Sequence, residues 1–234
     1  MTTLFKYRPF NDHLRLLIIS QKIWFPARAR LNDPEDLEVN LINDVDAEVY
    51  RQYLLKRAEL ESWPSKHLNY NLKRAFTTSG DLTPAARRKI AKSQTLLQIQ
   101  FDRLGILSLS EDKDSPILWE RYGDREKGVC IVFKLKESGH LLKVKYESPR
   151  PQLRLSALLL NVDADQELIK VLRIKTTKWS NESEWRYFVK NGNTEFYFLG
   201  VVETIRLGKK MSDANRRTIV EWVAVTKRPI NIEG

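Results

Sequence analysis

Two glutamates and an arginine alternate late in the chain, at Glu182, Glu184 and Arg186. If residues 178–189 form a strand, these three side chains share one face, because strand side chains alternate with period two. The two carboxylates then lie about 7 Å apart. Such a pair beside an arginine forms either a solvated charged face or the lining of an active cleft. The pattern favours the cleft.

Polar side chains also lie on two other predicted strands. Arg8 ends a short first strand, and Ser108 and Ser110 alternate on a strand that follows Gly105. Each has a simpler interpretation as well. Arg8 would pair with an acid of the predicted turn near Asp33, and the serines would be ordinary strand residues. The sequence leaves both interpretations open.

A short helix over residues 116–122 is predicted from Pro116 at its start. Trp119 and Tyr122 are spaced i, i+3 on it and so lie on the same side. They either pack in the core or form a platform on which a ligand ring stacks.

Composition sets limits on the class of protein. The chain has 234 residues, 42% of them hydrophobic and 30% charged, which is typical of a globular protein. We expect a single domain over residues 1–234. The net charge of +10 favours an anionic partner such as nucleic acid, although a basic protein without such a partner is the alternative. Neither a signal-peptide core nor a membrane-spanning segment is evident, so we expect a cytoplasmic protein without a membrane partner.

The region from about 46 to 103 has helical spacing and is predicted to form a helical insert between two sheet-forming halves. Residues 73–103 hold seven basic and two acidic residues. Arg87, Arg88 and Lys92 share part of one side of a predicted helix, which makes them a candidate nucleic-acid surface or simply a solvated face.

The segments after Gly105 are rich in predicted strands, so the fold class is α+β. Residues 129–135 and 141–146 are predicted to pair as a hairpin through Gly139. Residues 153–173 are predicted to form one amphipathic helix, with Val162 on its apolar face.

Several kinds of chemistry have no support in the sequence. The three histidines are far apart, so no metal site is expected. The Gly-x-Ser-x-Gly elbow of serine hydrolases, the Walker loop and the dinucleotide-binding fingerprint are all missing. The lone cysteine, Cys130, lies in a buried-strand pattern and is predicted to be a packed, inert thiol.

Taken in order along the chain, four blocks resemble the bacterial domain of unknown function 2971 family. They are Phe5-Lys6-Tyr7-Arg8; Asn32-Asp33-Pro34; the stretch from Leu107-Ser108-Leu109-Ser110 through Leu118-Trp119-x-x-Tyr122-Gly123 to Lys127–Phe133; and Trp179-x-x-Glu182-x-Glu184-x-Arg186. Together they span residues 5 to 186.

The order Arg, Ser-x-Ser, Glu-x-Glu is also similar to the arginine–serine–glutamate class of ADP-ribosyltransferases. That resemblance implies two short, mostly antiparallel sheets that form a central cleft flanked by helices. It implies that Arg8 holds the phosphates of NAD and that Ser108 and Ser110 brace the pocket.

The same resemblance gives the two glutamates their roles. Glu184 would hold the nicotinamide ribose and stabilise the oxocarbenium-like transition state, and Glu182 would engage the acceptor. Trp119 or Tyr122 would stack on the nicotinamide or adenine.

We therefore expect an ADP-ribosyltransferase-like enzyme or NAD hydrolase. It would use NAD as a substrate, require no metal, and transfer ADP-ribose to a macromolecule such as nucleic acid in a bacterial toxin or phage-defence setting. One rival is a non-catalytic nucleic-acid-binding module that uses the basic insert. The other is a metal-dependent nuclease with Asp33, Glu182 and Glu184 as ligands.

Overall fold

The computed structural model describes residues 1–136, 141–149, 151–160, 164–198 and 200–234. The chain forms two compact units. The first, called the sheet unit here, comprises residues 1–36, 103–148 and 175–234, and the second, called the helical unit, comprises residues 37–102 and 149–174.

The elements follow in chain order. The strands are β1 (Thr2–Arg8), β2 (Lys22–Phe25), β3 (Leu41–Ile42), β4 (Gly105–Ser110), β5 (Val129–Leu135), β6 (Leu141–Lys143), β7 (Lys145–Tyr146), β8 (Leu153–Arg154), β9 (Ile174–Lys175), β10 (Glu184–Val189), β11 (Thr194–Tyr197), β12 (Val201–Leu207) and β13 (Asn231–Glu233). The α-helices are α1 (Asp12–Ser20), α2 (Ala47–Leu60), α3 (Ser65–Ala75), α4 (Pro84–Arg103), α5 (Pro116–Arg121), α6 (Leu155–Leu160), α7 (Ala164–Leu172) and α8 (Asp213–Thr226). Two short 3₁₀ helices lie at Arg28–Arg30 and Thr177–Glu182.

The sheet unit is organised around a seven-stranded sheet in the order β13-β12-β5-β1-β4-β10-β6. Its neighbouring strands are antiparallel except for the parallel pair β12 and β13. β1 pairs with β5 along its whole length, but it meets β4 at only one residue pair, Phe5 and Ser110. The sheet therefore consists of a four-stranded and a three-stranded half that diverge on either side of this pair. The predicted α+β class is confirmed.

The two faces of this sheet differ because side chains alternate along each strand. One face is apolar: Leu107 and Leu109 on β4 and Trp185 on β10 belong to or pack on the main core, together with residues of α1 and α8. The other face carries Ser108 and Ser110 on β4, and Glu184 and Arg186 on β10. A smaller apolar cluster around Tyr7, Leu118 and Cys130 lies near it. Cys130 is fully buried, as predicted, and burial raises the pKa of its thiol to about 12.

In the helical unit, α2, α3 and α4 occupy the region predicted to be helical, and β3 pairs in parallel with β8. Thr83 caps the start of α4: its Oγ1 accepts a hydrogen bond from Ala86 N at 3.2 Å. Asp46 caps α2 in the same way, accepting from Val49 N at 2.8 Å. No helix of the described residues is long and apolar enough to cross a membrane.

Two local predictions were wrong. β5 and β6 do not form a hairpin, because both edges of β5 are occupied, by β1 and β12, while β6 pairs with β10. Gly139, the predicted hairpin turn, lies outside the described residues. Residues 153–173 do not form one described helix either: they begin with the strand β8 and include the separate helices α6 and α7, and Val162 lies outside the described residues.

Candidate active site

A cavity of about 250 Å³ lies in the sheet unit where the two halves of the sheet diverge. β1 contributes Lys6 to its wall, and β4 contributes Ser108 and Ser110. Glu182 and Glu184 complete a polar wall. The cavity thus brings together residues that are up to 179 positions apart in the sequence, including five of the predicted site residues: Ser108, Ser110, Tyr122, Glu182 and Glu184.

The segment before β10 differs from the predicted strand. Residues Thr177–Glu182 form a 3₁₀ helix, and Ser183 adopts a left-handed conformation (φ 44°, ψ 50°) before the strand begins at Glu184. The local hydrogen bonds that close this turn, such as Ser183 N to Ser180 O at 3.3 Å, replace strand pairing. Glu182 and Glu184 nevertheless converge on the cavity, because the turn at Ser183 brings both carboxylates to the same ammonium group.

The three charged side chains of the Glu-x-Glu-x-Arg pattern do not form a solvated face. Glu182, Glu184 and Arg186 are 5%, 3% and 0% exposed. Buried charges require partners, because leaving water costs each of them several kcal/mol. The partners therefore decide what this site can do.

Lys175, at the end of β9, is the central partner. Its Nζ donates to Glu182 Oε2 at 2.7 Å and to Glu184 Oε2 at 2.8 Å, and it lies 3.5 Å from Asp36 Oδ2. Burial opposes the charge of this ammonium group, but the three surrounding carboxylates outweigh burial and raise the pKa of Lys175. The lysine therefore stays charged and holds the carboxylates close together.

Arg186 provides the second cation. Its Nε donates to Glu184 Oε1 at 2.9 Å, and its Nη2 donates to both carboxylate oxygens of Asp36 at 2.8 Å. Burial alone would raise the pKa of Glu184, but Arg186 and Lys175 more than offset it and lower that pKa to about 2. Glu184 is thus ionised at neutral pH and is held in one orientation.

The other oxygen of Glu182, Oε1, has a different set of partners. Tyr122 Oη donates to Glu182 Oε1 at 2.7 Å and accepts from Asn32 Nδ2 at 2.9 Å. Arg121 Nη1 lies 3.6 Å from the same Oε1. A carboxylate offers about four lone-pair sites, so the two hydrogen bonds from Lys175 and Tyr122 leave Glu182 able to accept another from a ligand.

The two cations of β1 have different positions. Lys6 Nζ donates to Ser108 O at 2.7 Å across the divergence between β1 and β4, and Lys6 lines the cavity. Burial and Arg8 lower the pKa of Lys6 to about 7, although Glu184 and Glu182 act in the opposite direction. Among the described residues, Arg8 does not line this cavity. Its Nε is buried without a hydrogen-bond partner among those residues, and burial lowers its pKa to about 10.

Neither Lys6 nor Arg8 forms an ion pair with any other residue that the structure describes. The alternative interpretation of Arg8, a pair with an acid near Asp33, is therefore not observed. Asp33 instead accepts from Trp179 Nε1 at 2.5 Å and lies 3.7 Å from Lys178 Nζ.

The remaining predicted residues are placed as follows. Ser110 Oγ donates to the backbone oxygen of Glu182 at 2.7 Å, which ties β4 to the 3₁₀ turn. Tyr122 lines the cavity, whereas Trp119 makes an edge-to-face contact with Tyr7 at 5.1 Å and packs in the smaller apolar cluster. Trp119 is therefore a half-buried packing residue that is not among the residues lining the cavity.

The predicted nucleic-acid residues belong to the other unit. Arg87, Arg88 and Lys92 lie on α4 and are exposed. None of them forms an ion pair with another described residue.

The charges leave little room for a metal ion. Within the described residues, no group of three or more His, Cys, Asp or Glu side chains is arranged to hold one. Lys175 Nζ occupies the position among Asp36, Glu182 and Glu184 where a cation would bind.

Comparison with known families gives a match for one part of the chain. Residues 118–187 match the family described as Protein of unknown function (DUF2971). The match covers under a third of the chain and supports the resemblance to that family. It includes Tyr122, Lys175, Glu182, Glu184 and Arg186, but not Lys6 or the serines of β4. No curated protein and no solved structure matches the chain.

Sequence reasoning missed three residues of the site: Lys6, Asp36 and Lys175. Lys6 belongs to the block Phe5-Lys6-Tyr7-Arg8, in which only Arg8 was predicted to bind the ligand. Asp36 is one of seven acids within residues 33–48, and nothing in the local pattern distinguishes it. Lys175 follows a predicted helix without a periodic signal. Only the tertiary fold shows that these charges meet.

Proposed function

We propose that the chain is an ADP-ribosyltransferase-like enzyme that cleaves NAD and transfers ADP-ribose to a macromolecule, in a bacterial toxin or phage-defence setting. The observation that supports it most is the cavity between the diverging halves of the sheet, whose polar wall contains Ser108, Ser110, Glu182 and Glu184. These residues come from two of the three motifs of the resemblance, and Arg8, the third, is not among the described residues that line the cavity.

The volume of the cavity limits which part of NAD it takes. Typical ligand pockets measure about 300–1,000 Å³, and this cavity measures about 250 Å³. In our proposal it holds the nicotinamide and its ribose, while the rest of the dinucleotide extends past Lys6.

The bond that breaks joins ribose C1′ to nicotinamide N1. Its electron pair stays with the departing nicotinamide, which becomes neutral, and positive charge develops on the ribose. Asp36, Glu182 and Glu184 carry three negative charges, and Lys175 and Arg186 carry two positive charges. Arg121 lies 3.6 Å from Glu182, and Lys6 lines the same cavity. In our proposal the carboxylate of Glu184, which also lines the cavity, favours the developing cation, because a fixed charge in a site that excludes water acts more strongly than one in bulk solvent.

Glu182 is assigned to the second half of the reaction. An acceptor hydroxyl or amine donates its electron pair to C1′ and loses its proton to Glu182, whose carboxylate retains unused acceptor capacity. Water in place of that acceptor gives NAD hydrolysis. Tyr122 and Lys175 act as positioning residues that hold the carboxylate toward the cavity.

A second candidate, the nucleic-acid-binding module, is favoured by Arg87, Arg88 and Lys92, which are exposed and form no ion pair with another described residue. The third, a metal nuclease, is disfavoured because its predicted ligands are engaged. Asp33 accepts from Trp179, and the two glutamates share Lys175.

The test is incubation of the purified protein with NAD labelled separately in the nicotinamide and the adenine, alone and with RNA, DNA or cell lysate. The proposal predicts release of nicotinamide and, with an acceptor, transfer of the adenine label. EDTA should leave both unchanged. The absence of nicotinamide release under every condition, from a protein shown to be folded, would overturn it.

A further inference from the structure

The helical unit contains a cavity of its own. It measures about 210 Å³ and lies among α2, α3 and α4. Tyr50, Asn71, Arg74 and Lys89 provide its polar groups, and alanine and leucine side chains lie between them. One water occupies about 30 Å³ in the liquid, so this cavity has the volume of several waters. A single planar ring system fits in such a space.

The hydroxyl group of Tyr50 is the most informative group in this cavity. The residue is only 4% exposed, and its ring stacks on that of Tyr53 at 5.7 Å. Its hydroxyl nevertheless forms no hydrogen bond with any residue in the described ranges. The hydroxyl oxygen is accessible from the cavity, so it offers one donor and one acceptor there. A polar ligand atom in the cavity can bond to it directly.

Asn71 adds a second group suited to recognition. Its Nδ2 donates one hydrogen bond, to His67 O at 3.0 Å. An amide side chain has two donor hydrogens and an acceptor oxygen, so the other hydrogen and Oδ1 remain available. A hydroxyl and an amide on the cavity wall match the mixed donor and acceptor edge of a nucleobase.

Positive charge borders the cavity. Arg74 donates to Tyr70 Oη at 2.8 Å and lies over the Tyr70 ring, 5.5 Å from its centroid. Neither Arg74 nor Lys89 forms an ion pair within the described part of the chain. Tyr70 is 57% exposed, so part of its ring remains accessible to a ligand beside Arg74.

The surrounding helices extend this charge. Residues 65–92 contain seven basic residues and one acidic residue. Arg88 and Lys92 are exposed on α4, one turn apart. A cavity for one base, an exposed aromatic ring and a row of cations are the combination by which proteins bind single-stranded nucleic acid.

We propose that the helical unit binds single-stranded nucleic acid and takes one unpaired base into this cavity. Tyr50 and Asn71 bond the edge of the base, Arg74 and Lys89 neutralise the flanking phosphates, and Tyr70 stacks on a neighbouring base. A base paired in a duplex cannot enter. The inference builds on the proposed function by naming the acceptor class, but it does not depend on NAD cleavage.

Fluorescence anisotropy tests this with the full chain, labelled 12-nucleotide RNA and DNA single strands, and the matching duplexes, in the absence of NAD. Both kinds of single strand should bind more tightly than their duplexes. Tyr50→Phe, which keeps the ring, and Asn71→Ala should each weaken binding about fivefold. Neither should change the dependence of affinity on salt.

Substitutions of the charged residues should instead change the salt dependence of binding. Arg74→Gln and Lys89→Gln should each reduce the slope of log K against log salt by about 0.7. Arg217→Gln, which removes one exposed charge from α8 in the sheet unit, is the matched control and should change neither quantity.

Three results would overturn the inference. They are equal affinity for single strands and duplexes, unchanged affinity of both Tyr50→Phe and Asn71→Ala, and binding of AMP as tight as that of the 12-mer. Because the assay contains no NAD, its outcome is separate from any failure of nicotinamide release.

Discussion

Lys175 Nζ lies 2.8 Å from Oε2 of Glu184, and both side chains are almost fully buried. The same ammonium group bonds Glu182 at 2.7 Å. This lysine therefore sets the distance between the two carboxylates to which the proposed chemistry is assigned. It connects the stability of the sheet unit to the geometry of its cavity.

Replacing Lys175 with methionine should destabilise the protein. The change leaves Asp36, Glu182 and Glu184 close together with Arg186 as their remaining buried cation, and removing one partner of a buried ion pair costs about 3–5 kcal/mol. Urea unfolding followed by circular dichroism measures the loss. The matched control is Lys143→Met, because the ion pair of Lys143 with Glu111 is exposed on both sides and such pairs typically contribute about 0–1 kcal/mol. Equal, small effects of the two changes would contradict the account.

Glu184 should make stability depend on acid pH. Its pKa is about 2 in the folded protein, below the ordinary value of 4.5. A lowered folded-state pKa stabilises the protein fully above pH 4.5, and this stabilisation is lost as the pH falls towards 2. It amounts to roughly 3 kcal/mol.

Thermal unfolding between pH 7 and pH 2 measures this dependence. Glu184→Gln should be less stable than the wild type at pH 7, and its stability should change less between pH 4.5 and 2. Parallel stability curves for the two proteins over that interval would show that the glutamate is not held as described.

Lys6 should make ligand binding depend on neutral pH. It lines the cavity with a pKa of about 7, and the charged groups that act on it are Arg8, Glu182, Glu184 and Lys175. Under the proposed function, its ammonium group attracts the phosphates of NAD. Affinity for ADP-ribose should therefore fall as the pH rises through 7, when the group becomes neutral.

Calorimetric titration with ADP-ribose between pH 6 and 9 tests the role of Lys6. Lys6→Arg should bind with little pH dependence, since arginine stays charged. Lys6→Met should bind about tenfold more weakly than the wild type at pH 6. Identical pH profiles for the wild type and Lys6→Arg would remove this lysine from the ligand site.

Much of the site follows from alternation along strands. Ser108 with Ser110, and Glu184 with Arg186, were predicted to share faces, and they do, because Leu109 and Trp185 must face the opposite, apolar side of the sheet. The alternation of polar and apolar residues along each strand therefore predicts which side chains share a face from the local sequence alone. The left-handed turn at Ser183 was not predicted, since a serine gives little sign of that backbone conformation.

The ion cluster could not be predicted in the same way. Asp36 and Lys175 are distant in sequence and lie in segments without a clear pattern. Their burial follows from mutual charge compensation in three dimensions, which local periodicity does not encode. The single contact between β1 and β4, which opens the cavity, depends likewise on how β5 and β10 pair with their neighbours.

The most direct test of the central claim is the rate of nicotinamide release from NAD by Glu184→Gln, compared with the wild type. Removing a fixed charge from the transition-state site should reduce this rate about 100- to 1,000-fold. Circular dichroism and a urea midpoint verify that the variant is folded, and Glu182→Gln provides a second variant if it is not. Glu221→Gln, an exposed change on α8, should release nicotinamide at the wild-type rate. A folded Glu184→Gln protein that matches the wild type would contradict the account and would make the buried charge cluster a structural feature alone.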